Sequence, residues 1–184
     1  RSALFGRGEP GGSINLTTKR PEFRTGGDFR ATFGRWNQTR LEADYQTVAG
    51  SAENIGVRLI GFTEESDSFR DTVEIEKYGF YPSITVEVSD QTDVTYELEL
   101  TKQEVPFDRG VAYSERYGFS PRETFSGEPG DGPIDTEVLG HQLELQHNFN
   151  ETWSLLAGLG YRETDFEGGA SEPNFGGRQT YFLD

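Results

Sequence analysis

The chain has 184 residues, a formal net charge of -15, and neither cysteine nor methionine. A pI near 4.5 argues against nucleic-acid binding, because neutralising phosphates takes clustered lysine and arginine that this sequence does not supply. The absence of cysteine excludes a disulfide framework, a thiolate metal site and a cysteine nucleophile, and it leaves the redox compartment unreadable.

The first element in chain order is a glycine-rich stretch, GRGEPG from Gly6 to Gly11, which fits the G-x-G-x-x-G pattern of dinucleotide-binding turns. That fingerprint needs a helix to follow, so that its N-terminal amides can receive a pyrophosphate. Here Pro10 sits inside the pattern, Gly12 extends it, and Ser13-Ile14-Asn15-Leu16-Thr17-Thr18 alternates apolar and polar residues as a strand does. The stretch therefore reads as a glycine turn feeding a strand.

Period-2 alternation then recurs to the end of the chain. Phe29-Ala31-Phe33 and Leu41-Ala43-Tyr45 come first. Next is a strand from Ile55 whose apolar residues change parity, Val57 and Leu59 on one side and Ile60 and Phe62 on the other, which predicts a bulge. Tyr78, Phe80, Ile84, Val86 and Val88 form another, interrupted by Pro82, where the missing N–H predicts a local break in pairing. Val94, Tyr96, Leu98 and Leu100 alternate with Thr95, Glu97, Glu99 and Thr101. Leu139, His141, Leu143, Leu145, His147 and Phe149 alternate with Gly140, Gln142, Glu144, Gln146 and Asn148. Trp153, Leu155, Ala157, Leu159 and Tyr161 alternate with Ser154, Gly158, Gly160 and Arg162. The chain is all-β.

Alternation alone fits a soluble β-sandwich as well as a membrane barrel. Connection lengths separate them. From the second strand onward the links run Ala49 to Asn54, Arg70 to Glu76, Ser89 to Thr92, Asp108 to Asp135, Asn150 to Thr152 and Glu167 to Gly177, so that short and long links alternate. Outer-membrane barrels have this rhythm, with minimal periplasmic turns and longer extracellular loops; only Trp36 to Gln38 is short on the supposed outer side. A strand from Thr136 to Phe149 extends about 45 Å, enough to cross a tilted bilayer path. No apolar run approaches the roughly 18 residues of a membrane helix. The mean hydropathy of -0.69 is compatible with a barrel, because only one face of each strand is greasy. Aromatics near the strand ends fit two interfacial girdles: Tyr45, Phe149 and Trp153 on the turn side, Phe69, Phe107 and Phe166 on the loop side.

At this point the opening stretch becomes specific. FGRGEPGGSINLTTKRP, Phe5 to Pro21, resembles the end of the plug domain of TonB-dependent ferric-siderophore receptors, where a G-[RK]-x-x-PGG-x-[IVL]-N-[LMV]-x-[TS]-K-[RK]-P segment precedes the first barrel strand. Pro106-Phe107-Asp108-Arg109-Gly110 resembles the PxDRG-like segment where the fifth barrel strand enters the third extracellular loop. The resemblance implies an outer-membrane receptor of a Gram-negative cell, with a barrel of about 22 strands around an N-terminal plug. Residues 1-22 would be the C-terminal end of the plug. Residues 23-184 would be the N-terminal part of an antiparallel up-and-down transmembrane β-barrel, present as a partial barrel of seven to eight strands, with an eighth beginning at Arg178. The chain, starting at Arg1 without a leader, reads as a piece of something longer, and the TonB-engaging box would lie upstream of it.

If the apolar parity faces lipid, then Arg40, Glu42, Asp44, Arg58, Glu97, Glu99, Glu144 and Arg162 face a wet lumen, because an unpaired desolvated charge is too costly elsewhere. Arg7, Glu9, Lys19 and Arg20 are candidates for ion pairs between plug and wall. In the longest loop, Phe107, Arg109, Tyr113, Arg116, Tyr117 and Phe119 put rings and guanidinium groups close together, which suits planar chelating groups and anionic iron complexes. The implied partners are a ferric siderophore, outer-membrane lipid, and TonB through the upstream segment. Iron would arrive chelated, so no cofactor is implied.

Enzymatic and metal-binding readings are weaker. His141 and His147 lie about 20 Å apart along one strand and cannot share an ion. Glu97 and Glu99 are neighbours on one wall rather than a pair facing each other across a cleft, and no nucleophile has its base. The alternatives left open are a TonB-dependent receptor for another solute (a vitamin, metal chelate or glycan) and a soluble β-sandwich binding module with the long loop as its recognition edge.

Overall fold

A computed structural model of the chain describes residues 17–115 and 117–171. The strands are β1 (Gly26–Phe33), β2 (Thr39–Ala49), β3 (Ile55–Asp67), β4 (Glu74–Ser89), β5 (Thr92–Val105), the two-residue β6 (Tyr113–Ser114) and β7 (Gly118–Phe119), β8 (Ile134–Asn148) and β9 (Ser154–Glu167). The seven long strands form one antiparallel sheet in the order β1-β2-β3-β4-β5-β8-β9. Each is hydrogen-bonded to its neighbour in sequence, the meander of an up-and-down barrel wall. Among the described residues no second sheet packs against it, which removes the β-sandwich alternative. The expected start of an eighth strand at Arg178 lies outside the described residues, as do Ser13 to Leu16 of the expected plug strand.

Burial is inverted relative to a soluble sheet. Arg58 and Glu97 are 8% exposed and Gln46, Ser83, Thr85 and Thr95 are also buried, whereas Phe29 is 71%, Leu143 44% and Leu159 74% exposed. Greasy residues on one face of a long sheet with open space beyond them are what a hydrocarbon solvent requires. The polar face is covered by residues 17–25, which run across the sheet before entering β1; we call that face inner and the other outer.

The outer face ends abruptly at one level. Going toward the longer loops, Thr63 gives way to Glu65, Tyr78 to Glu76, Leu100 to Lys102, Leu139 to Glu137 and Tyr161 to Glu163. The pairings Thr63↔Tyr78, Tyr78↔Lys102, Lys102↔Glu137 and Leu139↔Glu163 show that this boundary follows the strand register across the wall. Tyr78 and Tyr161 lie on it, as girdle residues do. The aromatics expected on the loop side serve otherwise. Phe69 packs edge-on to Trp36 at 6.3 Å between ring centroids, and Arg109 stacks over Phe107 at 4.7 Å. Phe166 pairs with Thr136, on the parity of the inner face.

Two local expectations meet different outcomes. Pro82 pairs with Leu59 on the β3 side, but the β4–β5 ladder steps from Phe80↔Leu100 to Ser83↔Glu97, the break its missing N–H requires. The bulge expected in the strand from Ile55, where the apolar parity changes between Leu59 and Ile60, does not occur, since β3 keeps an unbroken register with β2 and with β4 throughout. Ile60 and Phe62 face inward by the ordinary pleat. Phe62 is tolerated there because the Arg40 guanidinium lies 4.1 Å from its ring centroid and Tyr81 stacks beside it at 6.4 Å. The irregularity falls instead between Glu87 and Ser89, next to a tight turn.

Candidate functional site

The inner face carries charges in pairs. Arg58 binds Asp44 with two nitrogens at 2.8 Å, Arg40 reaches Glu64 at 2.8 Å and Glu42 at 2.9 Å, and Arg162 reaches Glu99 at 2.8 Å. Pleat parity places these residues together, because each strand offers every second side chain to the same side. All eight residues expected to face the lumen lie on this face.

Residues 17–25 cross that wall as a strap without regular structure. At its β8 end, Arg20 grips Glu144 through both guanidinium NH2 groups, at 2.5 and 2.9 Å, and Nε lies 3.5 Å from Glu97. Thr18 donates to the same Glu97 carboxylate at 2.5 Å, and Lys19 reaches Asp44 at 3.0 Å. Further along, Arg58 donates to the Arg20 carbonyl at 2.9 Å, and the Glu22 amide donates to Gln46 at 3.0 Å. Pro21 then lies so close to Gly56 that a Cβ at that glycine would sit 2.7 Å from the proline Cβ. Hydrogen bonding to Glu144 outweighs desolvation and holds the Arg20 pKa above its ordinary value. The Glu22 carboxyl is held below its ordinary value, first by the Arg24 guanidinium and then by Gln46. Arg7 and Glu9, the other residues named as candidates for such ties, lie outside the described residues.

At the opposite end, the loop from Pro106 to Pro133 carries the candidate ligand residues. Its small hairpin, β6 and β7, brings Tyr113 and Phe119 together at 4.9 Å between ring centroids. Both rings are exposed, as are Phe107 and Tyr117. Arg109 folds back over Phe107, so the two form one cationic and aromatic unit. Arg116 lies outside the described residues. The arrangement offers flat apolar faces and charge-assisted donors, suited to holding a planar or anionic solute without covalent chemistry.

Two residues at the root of this loop were not among the expected ligand contacts. Asp108 accepts from the Gly110 amide at 2.8 Å through one carboxylate oxygen, and its other oxygen lies 2.6 Å from Nε of Arg70. Gly110 has φ +85°, a conformation that favours glycine. The D-R-G triplet signals that turn, but nothing in the spacing announces Arg70 as its partner.

No protein-family model matches the sequence. The metal-pseudopaline receptor CntO of Pseudomonas aeruginosa is 36% identical over 172 residues, which cover 93% of this chain and 24% of that protein. The ferrioxamine receptor of Yersinia enterocolitica is 31% identical over 171 residues, covering 89% of this chain and 23% of that protein. The closed form of the ferric-catecholate import receptor Fiu from E. coli K12 matches with a TM-score of 0.82 at 22% identity, over 93% of this chain and 26% of that one, which shows the fold. This chain therefore spans roughly a quarter of the length of the curated relatives it matches, and those relatives are named as receptors rather than enzymes. With its inverted burial, seven-strand meander and these relatives, the chain belongs to the TonB-dependent outer-membrane receptors, as a stretch of their barrel wall.

Proposed function

We propose that the whole receptor captures a ferric siderophore at its extracellular end and imports it when TonB, engaging a segment upstream of this chain, remodels the plug. One observation carries the reading: a sheet whose charged face is covered by its own N-terminal segment, while its greasy face meets open space. That arrangement suits a wall between a plug-filled lumen and lipid. The ligand class is supported by relatives named for metal-pseudopaline and ferrioxamine. In this reading residues up to 22 end the plug and the rest is barrel. Lys19 and Arg20 tie plug to wall, while Phe107, Arg109, Tyr113, Tyr117 and Phe119 meet the ligand. Iron enters as chelated cargo, so the protein needs no resident cofactor.

The test uses the complete receptor. Replacing Arg109 and Tyr113 by Ala weakens binding of the ferric ligand while the barrel still assembles; unchanged affinity removes them from the site. Growth of an iron-starved host lacking its own receptors, supplied with defined siderophores one at a time, decides the solute class. Transport restricted to a vitamin or glycan overturns the proposal. A second reading, import of chelates of metals other than iron, is favoured by the 36% identity to a receptor named for metal-pseudopaline. Uptake of radiolabelled nickel, cobalt or zinc chelates, compared with the iron chelate, separates the two.

A further inference from the structure

The long loop is held at its root by a residue from a different loop. Arg70 lies between β3 and β4, and its side chain is only 9% exposed. Its Nε sits 2.6 Å from Asp108, at the start of the loop excursion, and one of its terminal NH2 groups donates to the carbonyl of Thr124 at 3.1 Å, where the excursion returns. The neighbouring amide of Asp71 donates to the carbonyl of Glu123 at 2.8 Å. Two further ties close the stem: Ser126 Oγ donates to the carbonyl of Gly110 at 3.2 Å, and the Ser120 amide donates to the carbonyl of Ala112 at 2.8 Å. Phe69 is flanked by the guanidinium groups of Arg70 at 5.1 Å and Arg122 at 5.0 Å, so that a returning residue of the excursion also packs against the clamp loop.

We propose that Arg70 is the positioning residue of the ligand loop: one buried guanidinium ties both stems of the finger to the loop between β3 and β4 and so fixes where Tyr113, Tyr117 and Phe119 stand. The part about ligand rests on the function proposed above. Closing a long loop costs conformational entropy, and a clamp across its base leaves a shorter finger to be ordered beyond it. Arginine suits the task because its planar fork offers donors in several directions, toward a carboxylate and a carbonyl at once. Lysine, a single point of charge, keeps the pair with Asp108 but cannot span both stems. A finger held in its binding arrangement binds more tightly than one that reaches it only part of the time, by the factor by which the competent population rises.

The experiment compares the full receptor with its Arg70→Ala, Arg70→Lys and Asp108→Asn variants, with Arg122→Ala as a control that removes an exposed guanidinium from the same ring. Amide hydrogen exchange, which needs no ligand, reads the clamp directly. Exchange across residues 108–112 and 120–124 should rise about tenfold in Arg70→Ala, rise less in Arg70→Lys and Asp108→Asn, and rise least in Arg122→Ala, which gives up only an exposed stacking contact, with β4 and β5 unchanged in all four. Unaltered exchange in Arg70→Ala overturns the clamp. Affinity for ferric hydroxamate and catecholate chelates, used as probes, should fall about tenfold in Arg70→Ala, chiefly through slower association, and be partly restored in Arg70→Lys. A loosened finger with wild-type affinity overturns the positioning role. A wild-type receptor that binds none of the probes counts against the function proposed above, while the exchange result still decides the clamp.

Discussion

Arg20 and Glu144 stand 124 residues apart in sequence, yet the guanidinium of one meets the carboxylate of the other through two hydrogen bonds. This bidentate pair ties the strap to β8, and Arg20 also faces Glu97, which is 8% exposed. Removing the arginine therefore leaves two carboxylates near each other without a cation, whereas removing Glu144 leaves Arg20 with Glu97 as partner. Arg20→Ala should destabilise the complete receptor by about 2 kcal/mol, discounted because the Arg20 side chain is 37% exposed, and Glu144→Gln by about 1 kcal/mol or less. Calorimetric melting of both variants and the double variant checks this, and an equal or larger loss from Glu144→Gln contradicts it.

Gly56 and Gly61 lie on the same strand with opposite surroundings. A Cβ on Gly56 meets Pro21 at 2.7 Å and the Phe23 ring at 3.4 Å, so the strap must move to admit it. A Cβ on the outward Gly61 meets only the Gly79 carbonyl at 3.5 Å and Phe80 at 3.7 Å, ordinary contact distances. Gly56→Ala should cost about 1–3 kcal/mol through overpacking, and Gly61→Ala should lie within about 0.5 kcal/mol of wild type. Melting temperatures of the two variants give the comparison; a neutral Gly56→Ala means that the strap does not seat there.

How much of this was legible in the sequence depends on the range of the interaction. The strands, their faces and the alternation of short and long links follow from the pleat and from turn chemistry, which are local, so Leu143 outward and Glu144 inward could be read directly. Phe62 misled because its partners, Arg40 and Tyr81, come from neighbouring strands, and only the folded wall shows a guanidinium covering an inward ring. The strap and the Arg70 clamp were hidden for the same reason. Which of 32 acidic residues meets a given arginine depends on how strands lie side by side, not on spacing along the chain. Lys19 and Arg20 could be singled out by motif, but Asp44, Glu97 and Glu144 as their partners could not.

Leu143 and Gln142 are adjacent and point to opposite sides of the wall. Leu143 lies within the outer apolar band, opposite Tyr96 and Leu159, while Gln142 faces inward opposite Glu97. An arginine at 143 enters hydrocarbon and should cost about 2–4 kcal/mol, whereas an arginine at 142 gains a carboxylate neighbour in a wet lumen and should cost little. Equilibrium folding of the complete receptor into lipid vesicles measures both. Comparable losses at the two positions would mean that the outer face does not meet lipid.

Lys102 stands just beyond the apolar boundary and holds three carboxylates: Asp135 at 2.8 Å, Glu137 at 3.1 Å and Glu104 at 3.3 Å. Glu104 also pairs directly across the sheet with Glu76, so this part of the outer face is acidic apart from one ammonium. Lys102→Gln leaves like charges side by side on adjacent strands, which is destabilising in a sheet. Because these carboxylates are between a third and just over half exposed, the loss should be modest and should shrink as ionic strength rises and the Debye length falls to about 3 Å at 1 M salt. Adding Glu137→Gln to Lys102→Gln should recover part of it by removing one repelling charge. Melting of the single and double variants at low and high salt tests both points, and a Lys102→Gln loss independent of salt would show that packing of the lysine stem, rather than its charge, holds the strand ends together.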